Sequence, residues 1–307
     1  MMGPGIGLTL ALSGLPVTLV SRTAAGAEQG LSKVRAQAEM LRVNELAALA
    51  ETAGALERLR AATDFDGAIG AADLVVESGP ENLAWKRDLF ARLDQITPAG
   101  AVLASNTSGL SITAIAASCA RPERILTTHY WNPPHLVPLV EIVRGEKTCD
   151  ETVEAVRNLL AACGKTPVVV KKDRPGQLGN RLQMALLREA VHIIAEGIAD
   201  AADIDAVIQN GLGIRMPAYG TLEHMDIAGL DLAVSVLDYV ARDLNSEPHA
   251  HQYLRSQVER RNLGAKTGKG FYDWSGKSAD EVKARRDAFL VQVLRGRRRD
   301  RVPQGAG

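Results

Sequence analysis

Thr128-His129-Tyr130-Trp131-Asn132-Pro133-Pro134, closed by Glu141, is the stretch on which the reading of this chain turns. The apolar run Arg124-Ile125-Leu126-Thr127-Thr128 before it reads as a strand, and so does Leu136-Val137-Pro138-Leu139-Val140-Glu141-Ile142-Val143 after it. Pro133, Pro134 and Pro138 force a break and a turn between the two runs. Strand, turn and returning strand can bring an imidazole and a carboxylate face to face. A histidine so placed is poised to accept a proton near neutrality, with Glu141 orienting the ring and stabilising the imidazolium. On spacing alone, a structural histidine satisfied beside its strand remains the competing reading.

Working outward, the segments upstream alternate between strand and helix. Asp73-Leu74-Val75-Val76-Glu77-Ser78 is a β-branched strand stopped by Gly79-Pro80, residues 81–94 are helical, and Ala101-Val102-Leu103-Ala104-Ser105 is a strand ending in Asn106-Thr107-Ser108-Gly109. A helix over 111–118 then leads to the histidine strand, and a helix over 150–164 leads to Pro167-Val168-Val169-Val170-Lys171-Lys172. Such alternation predicts an α/β fold with a mainly parallel sheet and helices on both faces, with ligands bound at the carboxyl ends of strands. Glu81, Asn106, Ser108 and His129 each follow a strand in this reading and are expected on one edge.

The beginning is unusual. Gly3-Pro4-Gly5-Ile6-Gly7 reads as a glycine-rich turn entering a helix, and Val17-Thr18-Leu19-Val20-Ser21-Arg22 as the next strand. These are the later parts of a dinucleotide-binding βαβ unit. The strand that would precede the turn is missing, as are the first two glycines of a G-x-G-x-x-G, leaving Gly3 as the last. The expectation is a sheet with an open gap and a chain whose start lies upstream of Met1. Ser21-Arg22-Thr23 holds the place where an acidic residue often meets the adenosine ribose, which leans toward NADP over NAD; an ordinary exposed arginine is the alternative. Residues 24–54 read as helix, 64–67 as a turn, and a short helix follows to Ala72.

Asp173-Arg174-Pro175-Gly176 is the clearest turn, and the expected domain boundary falls there. Residues 1–174 form the nucleotide-binding domain in this reading, and 175–274 an all-helical one, with helices at 181–197, 202–211, 231–244 and 252–260. Residues 275–307 form a final helix and a basic tail. Asn180 opens a helix, where its side chain can cap the first turn.

Composition excludes several classes. Net charge is zero, so nothing points to nucleic acid or an anionic membrane surface. Cys119, Cys149 and Cys163 lack metal-type or disulfide spacing and read as reduced packing residues. The six histidines form no metal-type pair on a helix, and no metal is expected. No apolar run has the length of a membrane span, and a cytoplasmic protein is the expectation.

Together the motifs resemble the L-3-hydroxyacyl-CoA dehydrogenase family over nearly the whole chain. The matching segments are Met2-Gly3-Pro4-Gly5-Ile6, Asp73–Glu77 with Pro80-Glu81-Asn82-Leu83, and Ala104-Ser105-Asn106-Thr107-Ser108. They continue as His129-Tyr130-Trp131-Asn132-Pro133 with Leu139-Val140-Glu141, then Lys172-Asp173-Arg174-Pro175-Gly176 with Asn180-Arg181, and finally Lys266-Thr267-Gly268-Lys269-Gly270-Phe271-Tyr272. The resemblance implies a Rossmann domain followed by a helical domain carrying a homodimer contact, acting on a small-molecule substrate with NAD or NADP. It makes His129 the base and Glu141 its partner, with Ser108 and Asn180 holding the substrate's oxygens. Glu81, Lys86 and Asn106 would line the cofactor's ribose and nicotinamide end, and Gly3 matches the last glycine of the dinucleotide fingerprint. The Trp-Asn-Pro-Pro-His variant resembles a bacterial branch that includes a dehydrogenase of a pyridine carboxylate aldehyde. The substrate is therefore expected to be a 3-hydroxyacyl compound, with that aldehyde, or a catalytically inactive binding protein, as the alternatives.

Overall fold

The computed structural model describes residues 2–301, and side chains as far as Arg298. The elements in chain order are α1 (Gly3–Leu12), β1 (Val17–Val20), α2 (Ala24–Val43), α3 (Leu49–Arg58), β2 (Leu59–Ala62), α4 (Phe65–Ile69), β3 (Leu74–Glu77), α5 (Leu83–Ile96) and β4 (Val102–Ser105). There follow α6 (Ile112–Ala116), β5 (Ile125–Tyr130), β6 (Leu139–Arg144), α7 (Asp150–Ala162), β7 (Thr166–Val170) and α8 (Gly179–Ala195). The last are α9 (Ala201–Val207), α10 (Thr221–Ala228), α11 (Leu230–Val240), α12 (Gln252–Glu259) and α13 (Ala279–Arg301). The remainder of the basic tail, 302–307, lies outside the described residues. Among the described residues, those up to Arg181 with those from Ala284 onward form one compact unit, and Leu182–Lys283 form another.

In the first unit the strands make two sheets. β3-β4-β5-β6-β7 form one, parallel except where β5 and β6 run antiparallel, and β1-β2 form a separate parallel pair. The expected gap is therefore present, and it separates these two sheets. What joins them is apolar packing, of Val17 and Val20 in β1 and of α1. Its sequence is apolar on every side, and Pro4 through Ala11 are all buried, as expected of a helix with no polar stripe. Ile6 and Leu10 pack with Ala104, Leu126, Tyr130, Val140 and Ile142, while Leu8 and Ala11 pack with Val34, Ala38, Ala55 and Leu59. Gly7 allows the close approach to β1, since a Cβ there would fall 2.9 Å from Leu19 Cδ2.

Several boundaries differ from the sequence reading. The helix expected over 24–54 is two, broken at Asn44-Glu45, where Glu45 has φ 57. β2 was not foreseen: Leu59-Arg60-Ala61-Ala62 has helix-favouring residues, and pairing with β1 overrides that preference. Asp64-Phe65-Asp66-Gly67 is the start of α4, with Asp64 capping it through Gly67 N–H. His129 lies inside β5 rather than after it, because the ladder runs two residues further than its apolar pattern.

The second unit is helical, as expected, with α10 added and a π-helical stretch at Ile208–Gly213 extending α9. Tyr272 OH donates to Asp205 Oδ2 at 2.6 Å, which ties the Lys266–Tyr272 motif to α9. Leu222, Leu230, Leu232, Val236, Leu237 and Tyr239 are all exposed. Among the described residues no helix is long and apolar enough to cross a membrane. The three cysteines are free, and Cys119 and Cys163 pack against core clusters.

Candidate active site

The antiparallel ladder sets His129 directly opposite Glu141, and side chains facing each other across such a pair touch. His129 Nδ1 lies 2.7 Å from Glu141 Oε2. Trp131, the first residue beyond the end of β5, donates its indole N–H to the same oxygen at 3.1 Å. The other oxygen, Oε1, accepts the backbone N–H groups of Leu178 at 3.0 Å and Gly179 at 2.9 Å. Burial of this carboxylate, 1% exposed, would raise its pKa; the hydrogen bonds from His129, Gly179, Trp131 and Leu178 outweigh that and hold it down to about 2. An ionised carboxylate only accepts, so the ring hydrogen of a neutral His129 sits on Nδ1. Nε2 then carries the lone pair, which is the arrangement a general base requires.

Glycine at 179 is a steric requirement. A Cβ there would fall 2.3 Å from Trp131 Cζ2, so only glycine lets the backbone slip past the indole to reach Glu141. Gly5 of α1 similarly admits the turn between β5 and β6, since its Cβ would fall 2.8 Å from Pro134 Cγ.

A second layer of bonds fixes the loop after β4. Glu81 Oε1 accepts from the Thr107 hydroxyl and from the N–H groups of Ser108 and Gly109, at 2.5, 3.0 and 3.1 Å. Asn180 Nδ2 donates to Ser108 O at 2.7 Å, and Gln177 Nε2 to Thr107 O at 2.9 Å. Asp173 Oδ2 accepts from Ser111 Oγ at 2.6 Å and Thr113 N at 2.9 Å, anchoring the same loop at the start of α6. Ser108 is thus clamped through its backbone while its side chain stays exposed. Asn106 Oδ1 accepts Tyr130 N–H at 2.8 Å, which joins the ends of β4 and β5.

Of the residues singled out in the sequence, His129, Glu141, Ser108, Asn180, Glu81 and Asn106 come together in this bonded region. Asn180 does not cap a helix end; it lies in the first turn of α8 and bonds across to Ser108. Lys86 is 1% exposed and donates to both oxygens of Glu77, at 2.7 and 2.6 Å, with Glu81 Oε2 3.9 Å away. Its charge is committed to a buried pair that also takes Ser105 Oγ at 2.7 Å. Arg22 is exposed after β1. The residues that sequence reading passed over are Trp131, Glu77, Asp173 and Gln177. Trp131 stands two positions after His129 in the sequence, which is the one local signal among the four; nothing local marked the contacts of the other three.

Gly3 opens α1 with no atom near the position its Cβ would take, and the first turn has no acidic residue. An unobstructed helix N-terminus of small residues favours an anionic group, and the ends of β1, β3 and β4 present Ser21, Ser78 and Asn106. These groups fit the phosphate and hydroxyl groups of a dinucleotide. In the second unit His192, Glu196 and His251 place donor atoms within 4.8 Å of one another. His251 Nδ1 already accepts Tyr253 N–H at 3.1 Å, which leaves a neutral ring no second lone pair, and Glu196 is exposed, so no metal is read there.

Residues 1–174 match the NAD binding domain of 3-hydroxyacyl-CoA dehydrogenase, and 176–274 match its C-terminal domain. The 5-formyl-3-hydroxy-2-methylpyridine 4-carboxylate 5-dehydrogenase of Mesorhizobium japonicum is 34% identical over 294 residues, 96% of this chain and 94% of that protein. A probable 3-hydroxybutyryl-CoA dehydrogenase of Bacillus subtilis is 35% identical over 279 residues, 91% of this chain and 96% of that one. A crystal structure of a 5-formyl-3-hydroxy-2-methylpyridine 4-carboxylic acid 5-dehydrogenase, an NAD+ dependent dismutase, superimposes with a TM-score of 0.88 at 34% identity, covering 96% of this chain and 94% of that one.

Proposed function

The chain belongs to the 3-hydroxyacyl-CoA dehydrogenase family, an NAD-dependent oxidoreductase family, and from that premise we propose a reaction for it. The reaction is oxidation of the 3-hydroxy group of a 3-hydroxyacyl compound, or reduction of the matching ketone. The observation that carries this reading is the 2.7 Å bond between His129 Nδ1 and a Glu141 carboxylate held ionised by three further donors.

His129 Nε2 takes the proton of the substrate hydroxyl as the C–H bond breaks. The imidazolium that results is stabilised by Glu141, whose charge is in place before the proton arrives. Ser108 Oγ and Asn180 hold the substrate's oxygens so that the hydroxyl faces Nε2. Bound NAD supplies the acceptor for the hydride. Gly3, Glu81 and Asn106 are the residues proposed to hold it, and Lys86 acts on that site by fixing Glu77 and the end of β3. The family domain names NAD, so the lean toward NADP drawn from Arg22 is not carried further.

Turnover is tested by absorbance at 340 nm with NAD+ and a panel of 3-hydroxyacyl-CoA thioesters and free hydroxy acids. Reduction with at least one member supports the reading, and silence across the panel with a folded, NAD-binding protein removes it. A second reading rests on the TM-score of 0.88 and widens the panel to a pyridine carboxylate aldehyde. In that case the hydrated aldehyde presents an equivalent hydroxyl to Nε2. We further propose a cytoplasmic homodimer in which the exposed apolar residues of α10 and α11 are covered by a second copy; light scattering at a monomer mass would exclude it.

A further inference from the structure

Gln177 occupies a backbone position that suits glycine better. Its φ is 54, in the left-handed region, where a side chain is strained against the following carbonyl. It is also 4% exposed, and its Oε1 is buried without a hydrogen-bond partner. A buried acceptor left unmatched is a further cost, and such costs concentrate where function over-determines the structure. The side chain has one strong attachment: Nε2 donates to Thr107 O at 2.9 Å. That bond fixes the amide's orientation, because the carbonyl end cannot donate to a carbonyl.

The two ends of this bond lie on opposite sides of the site. Thr107 O is one peptide from Ser108, which the proposed function places on the substrate. Leu178 and Gly179, the next residues after Gln177, supply the two N–H groups that hold Glu141 Oε1. Asn180 makes a parallel tie to Ser108 O, but it is only part-buried and open to competition from water. The buried tie is the one that water cannot replace.

We propose that Gln177 is a positioning residue: its side chain latches the Ser108 loop to the backbone that holds Glu141, and so sets the separation between substrate and base. The inference rests on the proposed dehydrogenase reading and assigns a specific residue to its geometry. Gln177 itself touches no reacting atom in this account.

The test uses Gln177→Met, which keeps length and volume but removes the donor, and Gln177→His, which restores one. Misplacement of reacting groups by about an ångström costs up to about a hundredfold, so Gln177→Met is expected to lose roughly ten- to a hundredfold in kcat. KM for NAD should stay within about twofold and Gln177→His should recover most of the loss, whereas a merely structural role would move neither selectively. Turnover of Gln177→Met within about twofold of the parent, or a Gln177→His variant as slow as Gln177→Met, overturns the proposal. Should Gln177→Met not fold, Gln177→Gly, which removes the latch together with the φ strain, takes its place with the same expected loss. Amide exchange at residues 108–110 gives a readout independent of any substrate. About tenfold faster exchange in the variant supports the latch, and unchanged exchange overturns it, even if the parent turns over nothing and the dehydrogenase reading has failed.

Discussion

The two sheets of the nucleotide-binding unit, one carrying the proposed base and the other beside the proposed cofactor site, are held in different ways. On the β3–β7 sheet, Glu141 and Glu81 are held by directed hydrogen bonds: His129, Trp131, Leu178 and Gly179 on Glu141, and three donors on Glu81. Among the described residues the β1–β2 pair shares no ladder with that sheet and is joined to it by apolar packing, of α1 and of Val17 and Val20 in β1. Hydrogen bonds fix positions to fractions of an ångström, whereas apolar contacts are non-directional and fix chiefly proximity. The arrangement therefore predicts a rigid base and a softer cofactor half.

Glu141→Gln should have the largest effect on the rigid side. It removes the charge that stabilises the imidazolium and the acceptor that fixes the Nδ1–H tautomer, and a loss of roughly a thousandfold or more in kcat is expected. The same carboxyl links the site to stability. Its pKa is about 2 in the fold against an ordinary 4.5, so its contribution is complete above pH 4.5 and is lost as pH falls toward 2. That difference corresponds to about 3 kcal/mol, and denaturant midpoints across this window should fall in the parent and much less in Glu141→Gln.

On the softer side, Leu8→Ala removes a fully buried side chain from the helix that bridges the sheets. A cost of about 2–5 kcal/mol in unfolding free energy is expected, with NAD binding weakened and kcat at saturating NAD within a few-fold. A kcat that falls as steeply as for Glu141→Gln would break the contrast between the halves. In the parent protein, amides of β1 and β2 should exchange faster than those of β5 and β6, and equal protection would also break it. The smallest effect belongs to Arg22→Ala, which should change NAD affinity by about twofold or less. A loss above about tenfold, confined to NADP, would restore the 2′-phosphate reading of Ser21-Arg22-Thr23.

What the sequence disclosed follows the same division. The apolar runs of β5 and β6 with prolines between them allowed His129 and Glu141 to face each other, and the ladder's register pairs them. The existence of α1 was legible too, as a helix entered from a glycine-rich turn; its complete burial between the two sheets shows only in the fold. β2 was not: its four residues favour helix, and only their partner Val17–Val20 makes them a strand. Lys86 was singled out for the cofactor site without its partner Glu77, which meets it only once β3 and α5 are packed. Gln177 was not singled out, and its reach to Thr107 spans 70 positions. Contacts of that kind leave no local trace.

The central claim is that His129 Nε2 is the base. The most direct test is single-turnover absorbance at 340 nm with saturating NAD+ and a substrate from the panel that the parent oxidises, comparing the parent with His129→Gln. NAD affinity and unfolding midpoint are measured in both. A fall of about a hundred- to ten-thousandfold in the rate of NADH formation, with NAD affinity and folding unchanged, is the predicted result. A His129→Gln protein that reduces NAD+ within a few-fold of the parent would contradict it.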